Sequence, residues 1–300
     1  MGAGHSHGSP PGHAGGRHRW RLAVAFGLVG SFFVVELVVG LAADSLALLS
    51  DAGHMAADVV ALGAALAATR IATRADATGR RTFGSYRAEV FASGLTVLLM
   101  LGAATYVGVE ALRRTGDPAP VAPGALLVVG SLGLLVNLVA LALLRGGATE
   151  SLNVRSAYLE VVADTVGSVG VIVAGVLVAR TGDAWWDTLV ASAIAVFVAV
   201  RALLLGREVL AVLGQHAPAG MDPATVESAL RAVPGVDAVH DLHLWTLTSG
   251  MHVATAHLVA SGDTDSVLTA AAATLRREFG VEHATLQVES DARHCAELSW

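Results

Sequence analysis

The chain holds 300 residues, 54% of them hydrophobic and only 15% charged, with a formal net charge of −6 and a mean hydropathy of +0.62. Soluble globular domains carry about 25% charged residues, so a soluble enzyme, a disordered chain and a fibrous repeat all fit poorly, and the composition is that of an integral membrane protein. The acidic balance leaves no basic face for a nucleic-acid partner, and the one cysteine, Cys295, excludes an intrachain disulfide framework.

Residues 1–20 set His5, His7, His13 and His18 among Gly, Ser and Pro. Such a stretch cannot bury a core and reads as a disordered tail, either inert or a flexible collector of metal. It is not read as a cleaved leader, because the apolar run behind it is long enough to span a membrane and no small-residue cleavage site interrupts it. Six apolar runs follow, near 22–43, 46–68, 90–112, 122–144, 156–179 and 186–206. A helix rising about 1.5 Å per residue needs roughly 20 residues to cross a hydrocarbon core of about 30 Å, so each run is predicted to be a transmembrane helix.

The first and second runs are separated by little more than Ala43-Asp44-Ser45, and the third and fourth by an Arg-Thr-Gly-Asp-Pro turn, so both pairs are expected to be antiparallel neighbours. Arginine placement orients them. Arg17, Arg19 and Arg21, then Arg70, Arg74, Arg80, Arg81 and Arg87, then Arg145, Arg155 and Arg207 fall on one side, against Arg113, Arg114 and Arg180 on the other. Both termini are therefore expected in the cytoplasm. Trp20, Trp185 and Trp186 stand at run ends, where an aromatic belt places them.

From about residue 211 the composition becomes that of a soluble domain. Pro223–Ala232 reads as a helix opened by Asp222, and VDAVHDLHLWTL and MHVATAHLVA as a hairpin across a Thr-Ser-Gly turn. Thr264–Phe279 reads as a second helix and HATLQVES as a third strand. The predicted fold class is thus an α-helical membrane protein with six transmembrane helices followed by a small cytoplasmic ferredoxin-like α+β domain. The expected boundaries are 1–20 for the tail, 21–210 for the membrane domain, 211–290 for the cytoplasmic domain and 291–300 for a C-terminal tail.

The chemistry lies in two of the apolar runs. SLALLSDAGHMAADVVALGAAL places Asp51, His54 and Asp58 on one helical face, and NVRSAYLEVVADTVGSVGVIV places Glu160 and Asp164 four apart on another. If these faces pack together, four N and O donors converge as tetrahedral divalent coordination requires. Each mid-membrane carboxylate costs about 2.5–3.5 kcal/mol even on the permissive insertion scale, so Asp58, Glu160 and Asp164 need compensation of roughly 8–10 kcal/mol. No Arg lies deep in either run, so a structural ion pair is not expected to provide it. A bound metal does, while a proton-sharing carboxylate cluster or a proton relay would look the same in sequence; His54 favours metal. Metal ligation also demands deprotonated ligands, so metal and protons should compete, and a site opened alternately to each side would exchange one for the other.

These residues resemble a known family, the cation diffusion facilitators, in particular the bacterial zinc/cobalt/cadmium exporters. SLALLSDAGHMAAD is similar to the family's second-helix motif, RTFGSYRAEVFASG to its approach to the third, NVRSAYLEVVADTVGSVG to its fifth, and HDLHLWTLTSGMHVATAHL to its cytoplasmic domain. The resemblance implies a cell-membrane homodimer, proton antiport of divalent metal, and a transport site of His54, Asp58, Glu160 and Asp164 with Zn2+ as transported substrate and no organic cofactor. Glu160 stands where most zinc members have His, which makes the site harder and should admit manganese, iron or cobalt more readily. His240 and His257 match positions where some members hold a regulatory metal, with Glu289 where an Asp stands and Gln287 replacing a His, so an intact two-metal site is not expected.

Weaker candidates remain. Asp51 reads as a hydrogen-bonding support or ion guide, and Glu36 and Asn137 as interhelical hydrogen-bonding groups. His240, His243, His252 and His257 read equally as solvent-facing or hydrogen-bonded histidines, and His283, His294 and Cys295 as part of a frayed tail or a ligand set. Two other function classes compete with the exporter: an intramembrane metal hydrolase, which lacks HExxH, and a metal sensor that moves no ions. The protein is expected not to be an enzyme.

Overall fold

The computed structural model describes residues 19–72, 82–85, 87–114, 121–146, 152–248, 250–261 and 263–290. The His-rich tail up to residue 18, the Arg-rich stretch 73–81, and His294 and Cys295 lie outside the described residues, as do the side chains of Asp58 and Glu160. By contacts the chain divides into two compact units, residues 1–64 with 95–204 and residues 65–94 with 205–300.

Six long helices appear where the apolar runs predict them: α1 (Arg19–Ala42), α2 (Leu46–Ala72), α3 (Ala88–Arg114), α4 (Pro123–Arg145), α5 (Leu152–Thr181) and α6 (Trp185–Leu213). Several extend past the apolar runs by a turn or more, since a helix continues into polar sequence where no breaker stops it. By length and composition, Val90–Arg114, Pro123–Arg145, Val161–Thr181 and Trp185–Leu213 are each able to cross a membrane, and Phe26–Ala42 is a shorter apolar helix. Val38, Leu41, Leu98, Leu112 and Val166 are largely exposed, which in water would be costly and against lipid tails is not.

The helices of the first unit approach closely where side chains are small. A Cβ on Gly130 of α4 would meet the Ile172 side chain of α5 at 2.9 Å, so glycine there lets the two backbones come together. Ala57 of α2, Met100 of α3, and Val198 and Ala202 of α6 form a further buried cluster.

Polar groups fix one end of this unit. The buried carboxylate of Asp187, in the first turn of α6, accepts from Ser45 Oγ at 2.6 Å, Leu46 N at 2.8 Å and Ala47 N at 3.3 Å. It thereby caps the N-terminus of α2 from another helix, satisfying donors that no intrahelical carbonyl reaches. The α1–α2 turn holds Asp44 at φ 51. Arg114 at the end of α3 donates to the Asp44 carbonyl and carboxylate, both at 2.7 Å, and to Glu110 at 3.2 Å.

The second unit contains α7 (Pro223–Arg231), β1 (Val236–Thr248), β2 (Met251–Ala260), α8 (Thr264–Phe279) and β3 (His283–Glu289). This is the predicted α-β-β-α-β order. The sheet runs β1-β2-β3, with β1 and β2 antiparallel and β2 and β3 parallel. A parallel pair requires a crossover, which α8 supplies. Asp222 caps α7 by accepting from Thr225 N, and Asp263 caps α8 by accepting from Ser266 N. Alternation along β2 turns Ala254, Ala256, Leu258 and Ala260 into the core with Val226, Leu230, Val267 and Leu275, and sets Thr255 and His257 on the other face.

Candidate metal centre

His54 on α2 and Asp164 on α5 meet inside the first unit. His54 Nε2 lies 3.3 Å from Asp164 Oδ1, and each side chain is only 3% exposed. Two ligands on one tetrahedral ion, with bonds of about 2.0–2.2 Å, stand roughly 3.3–3.5 Å apart, so this pair already has the spacing of one coordination edge. Asp58 is four residues on from His54 in α2, and Glu160 four before Asp164 in α5, which sets both on the same helical faces as their partners.

One turn away a second rung joins the same helices. Asp51 is buried, and its Oδ1 comes so near Gly167 of α5 that a Cβ there would clash with it. Glu36 of α1 is buried as well. Asn137 of α4 donates from Nδ2 to Ser168 Oγ at 3.3 Å. Asn137 thus makes the interhelical bond expected of it.

One expectation is corrected. The second and fifth runs hold no Arg, but Arg201 reaches in from α6, with Nη1 3.1 Å from His54 Nε2. The residue lies in the last of the six apolar runs, 147 positions from His54. The only local signal was a lone Arg inside an apolar stretch, itself a functional flag by default.

In the second unit, β1 and β2 put His240 opposite His257, and β2 and β3 put His257 opposite Gln287. The Glu289 carboxylate bridges the histidines, with Oε2 3.3 Å from His240 Nε2 and Oε1 2.8 Å from His257 Nδ1. Gln287 Nε2 donates to Glu289 Oε1 at 2.8 Å. The three expected residues therefore converge. Asp241, which sequence reasoning passed over, joins them: it offers a carboxylate oxygen, and its ligand atom and those of His240 and His257 all lie within 4.8 Å of one another. A register shift between His240 and His243 and a φ of 50 at Asp241 turn its side chain this way. His252 instead pairs with Thr246 Oγ1 at 3.3 Å, and His283 packs edge-on against Phe83, both ordinary structural roles.

A bundle of apolar helices with nitrogen and carboxylate donors buried at its centre defines a membrane protein that handles cations. Family comparison agrees: the cation efflux transmembrane domain matches residues 22–213, and the cation efflux protein cytoplasmic domain matches residues 218–291. The chain belongs to the cation efflux family, whose members are transport proteins rather than enzymes, and is a multi-pass membrane protein. It is 43% identical over 96% of its length to the metal cation efflux system protein CzcD of Cupriavidus metallidurans, covering 90% of that protein. It is 33% identical over 97% of its length to a cadmium, cobalt and zinc/H(+)-K(+) antiporter of Bacillus velezensis, covering 93% of it. Among solved structures it is similar to the metal-bound C-terminal domain of the Cupriavidus CzcD transporter, at 40% identity and a TM-score of 0.21, over 23% of this chain and 99% of that one.

Proposed function

We propose that this chain exports divalent transition metal from the cytoplasm in exchange for protons, with zinc the first substrate and cobalt, cadmium, manganese and iron as further candidates. The observation that carries this reading is the buried His54–Asp164 pair, spaced as one edge of a tetrahedral site between α2 and α5. His54, Asp58, Glu160 and Asp164 form the transport site in this reading, and Asp51 supports it from one turn away. The names of the relatives, a metal cation efflux protein and a cadmium, cobalt and zinc/H(+)-K(+) antiporter, support the same direction and coupling.

Protons and metal compete for one set of donors, because carboxylates and imidazole bind metal only when deprotonated. Facing the cytoplasm the site loads metal and gives up protons; facing outward it takes protons and releases metal. An inward proton gradient then drives metal out. All six long helices cross the cell membrane with both termini in the cytoplasm, and the chain works as a homodimer, supported by the match to the family's cytoplasmic domain. His240, His257 and Glu289, with Asp241, form a secondary cytoplasmic metal site in this reading. In this reading residues 21–210 form the membrane domain and 211–290 the cytoplasmic domain.

The test is zinc flux in proteoliposomes under an imposed pH gradient, comparing wild type with Asp58→Ala and Asp164→Ala. Gradient-driven flux lost in both variants supports the antiporter. Zinc binding without flux in the wild type, abolished by both substitutions, turns the reading to a sensor.

A further inference from the structure

Arg201 presents an unusual arrangement for a cation. Its Cζ lies 5.8 Å from the centroid of the Phe197 ring, one turn earlier in α6, and Phe197 stands edge-on to His54 at 6.3 Å. Its Nη1 lies 3.1 Å from His54 Nε2, the same nitrogen that faces Asp164 Oδ1 at 3.3 Å. A guanidinium has donors only, so where it bonds His54 the ring nitrogen is the acceptor. The Nε2 lone pair and the carboxylate of Asp164 are both electron-rich, and two such groups come together around a positive charge. Arg201 brings a positive charge to the Nε2 side of this pair.

We propose that Arg201 is the internal counter-ion of the transport site, holding the metal-binding nitrogen of His54 until incoming metal displaces it. The inference rests on His54 being a transport ligand. Its logic is electrostatic and steric together. Asp58, Glu160 and Asp164, when ionised, carry three negative charges in apolar surroundings. An ion of charge +2 leaves one uncompensated, and Arg201 supplies the third positive charge. A guanidinium stays protonated at any physiological pH, so this share of the compensation does not depend on protons. It cannot ligate metal, so on His54 Nε2 it can only compete. The Phe197 ring, already 5.8 Å from Cζ, stays within reach of the cation when it leaves Nε2.

The experiment is equilibrium Zn2+ binding to the purified full-length protein, comparing wild type with Arg201→Met, Arg201→Gln, His54→Ala and the double variant His54→Ala/Arg201→Met. Removing a competing cation within contact distance should tighten zinc binding by about tenfold or more. Misfolding cannot produce that gain, and the glutamine variant decides the matter if the methionine variant does not fold. The gain should shrink to within about threefold in the His54→Ala background, because the guanidinium acts through Nε2. Three outcomes overturn the proposal in different ways. If His54→Ala weakens binding but neither Arg201 variant tightens it, Arg201 is not a competitor and the transport site stands. If the full gain persists without His54, Arg201 acts as a diffuse field and nothing is displaced. If His54→Ala leaves binding unchanged, the transport-site reading itself fails.

Discussion

The carboxylate of Asp51 on α2 rests against the backbone of Gly167 on α5, filling the space a Cβ would need. Asp51 is one turn before His54, and Gly167 one turn after Asp164, so the two helices are joined by successive rungs. The close approach at Gly167 is therefore part of what sets the His54–Asp164 spacing.

Gly167→Ala should push these helices apart. Forcing a methyl into an occupied space in a packed core costs typically about 1–3 kcal/mol, and a shift of a few tenths of an ångström spoils a coordination edge. Loss of zinc flux with a lowered thermal midpoint in detergent is expected. Gly102→Ala on α3 is the control: nothing lies within 4 Å of a Cβ there, and alanine favours a helix over glycine by about 1 kcal/mol. Equal behaviour of the two variants would show that the Gly167 contact does not matter.

Asp187→Ala removes the acceptor of three donors at the start of α2. Leaving buried donors unpaired costs about 1–3 kcal/mol per group in the worst case, and losing a cap about 1 kcal/mol. A total loss of about 2 kcal/mol or more is expected, read as a lower thermal midpoint. Asp187→Asn keeps an oxygen acceptor and should fall between wild type and alanine. An alanine variant as stable as wild type would mean that water reaches these donors.

Much of this was legible because it depends on short-range periodicity. Apolar runs of membrane length located α1 to α6, alternation located the hairpin, and Asp222 before Pro223 marked the start of α7. His54 and Asp164 were identified by spacing within their own helices. What escaped was contact between segments far apart in the chain. Arg201 reaches His54 from α6, and Asp187 caps α2 from α6, because helix packing brings them there and no local pattern encodes it. Asp241 escaped for another reason: strict alternation turns it away from His240, and only the irregular register of β1 brings it back.

The cap at Asp222 makes a pH prediction. Its carboxylate accepts from the side chain and backbone N–H of Thr225, and these bonds hold its pKa below the ordinary carboxylate value. A depressed folded value contributes stability that is present above the unfolded pKa of about 3.9 and is lost as pH falls through the folded one. Carboxyl carbon NMR should place the Asp222 midpoint below that reference, with hydrogen-exchange protection at Thr225 N–H falling in the same window. A midpoint at or above about 3.9 is inconsistent with the cap.

Glu160→His tests selectivity. The substitution changes the proposed ligand set from one imidazole and three carboxylates to two of each, which is softer and one negative charge smaller. Imidazole suits zinc, while carboxylate also suits manganese, so zinc flux should become less sensitive to competing manganese and cobalt, by about tenfold if one ligand is worth about 1.4 kcal/mol of discrimination. The variant also changes the balance with Arg201: with two carboxylates, metal and guanidinium together exceed the negative charge by one, so zinc affinity should drop unless Arg201 is neutralised too. Glu160→His/Arg201→Gln should recover that affinity while keeping the narrower selectivity. Competition by manganese and cobalt that stays as strong as in wild type would show that the fifth-helix carboxylate does not set the choice of metal.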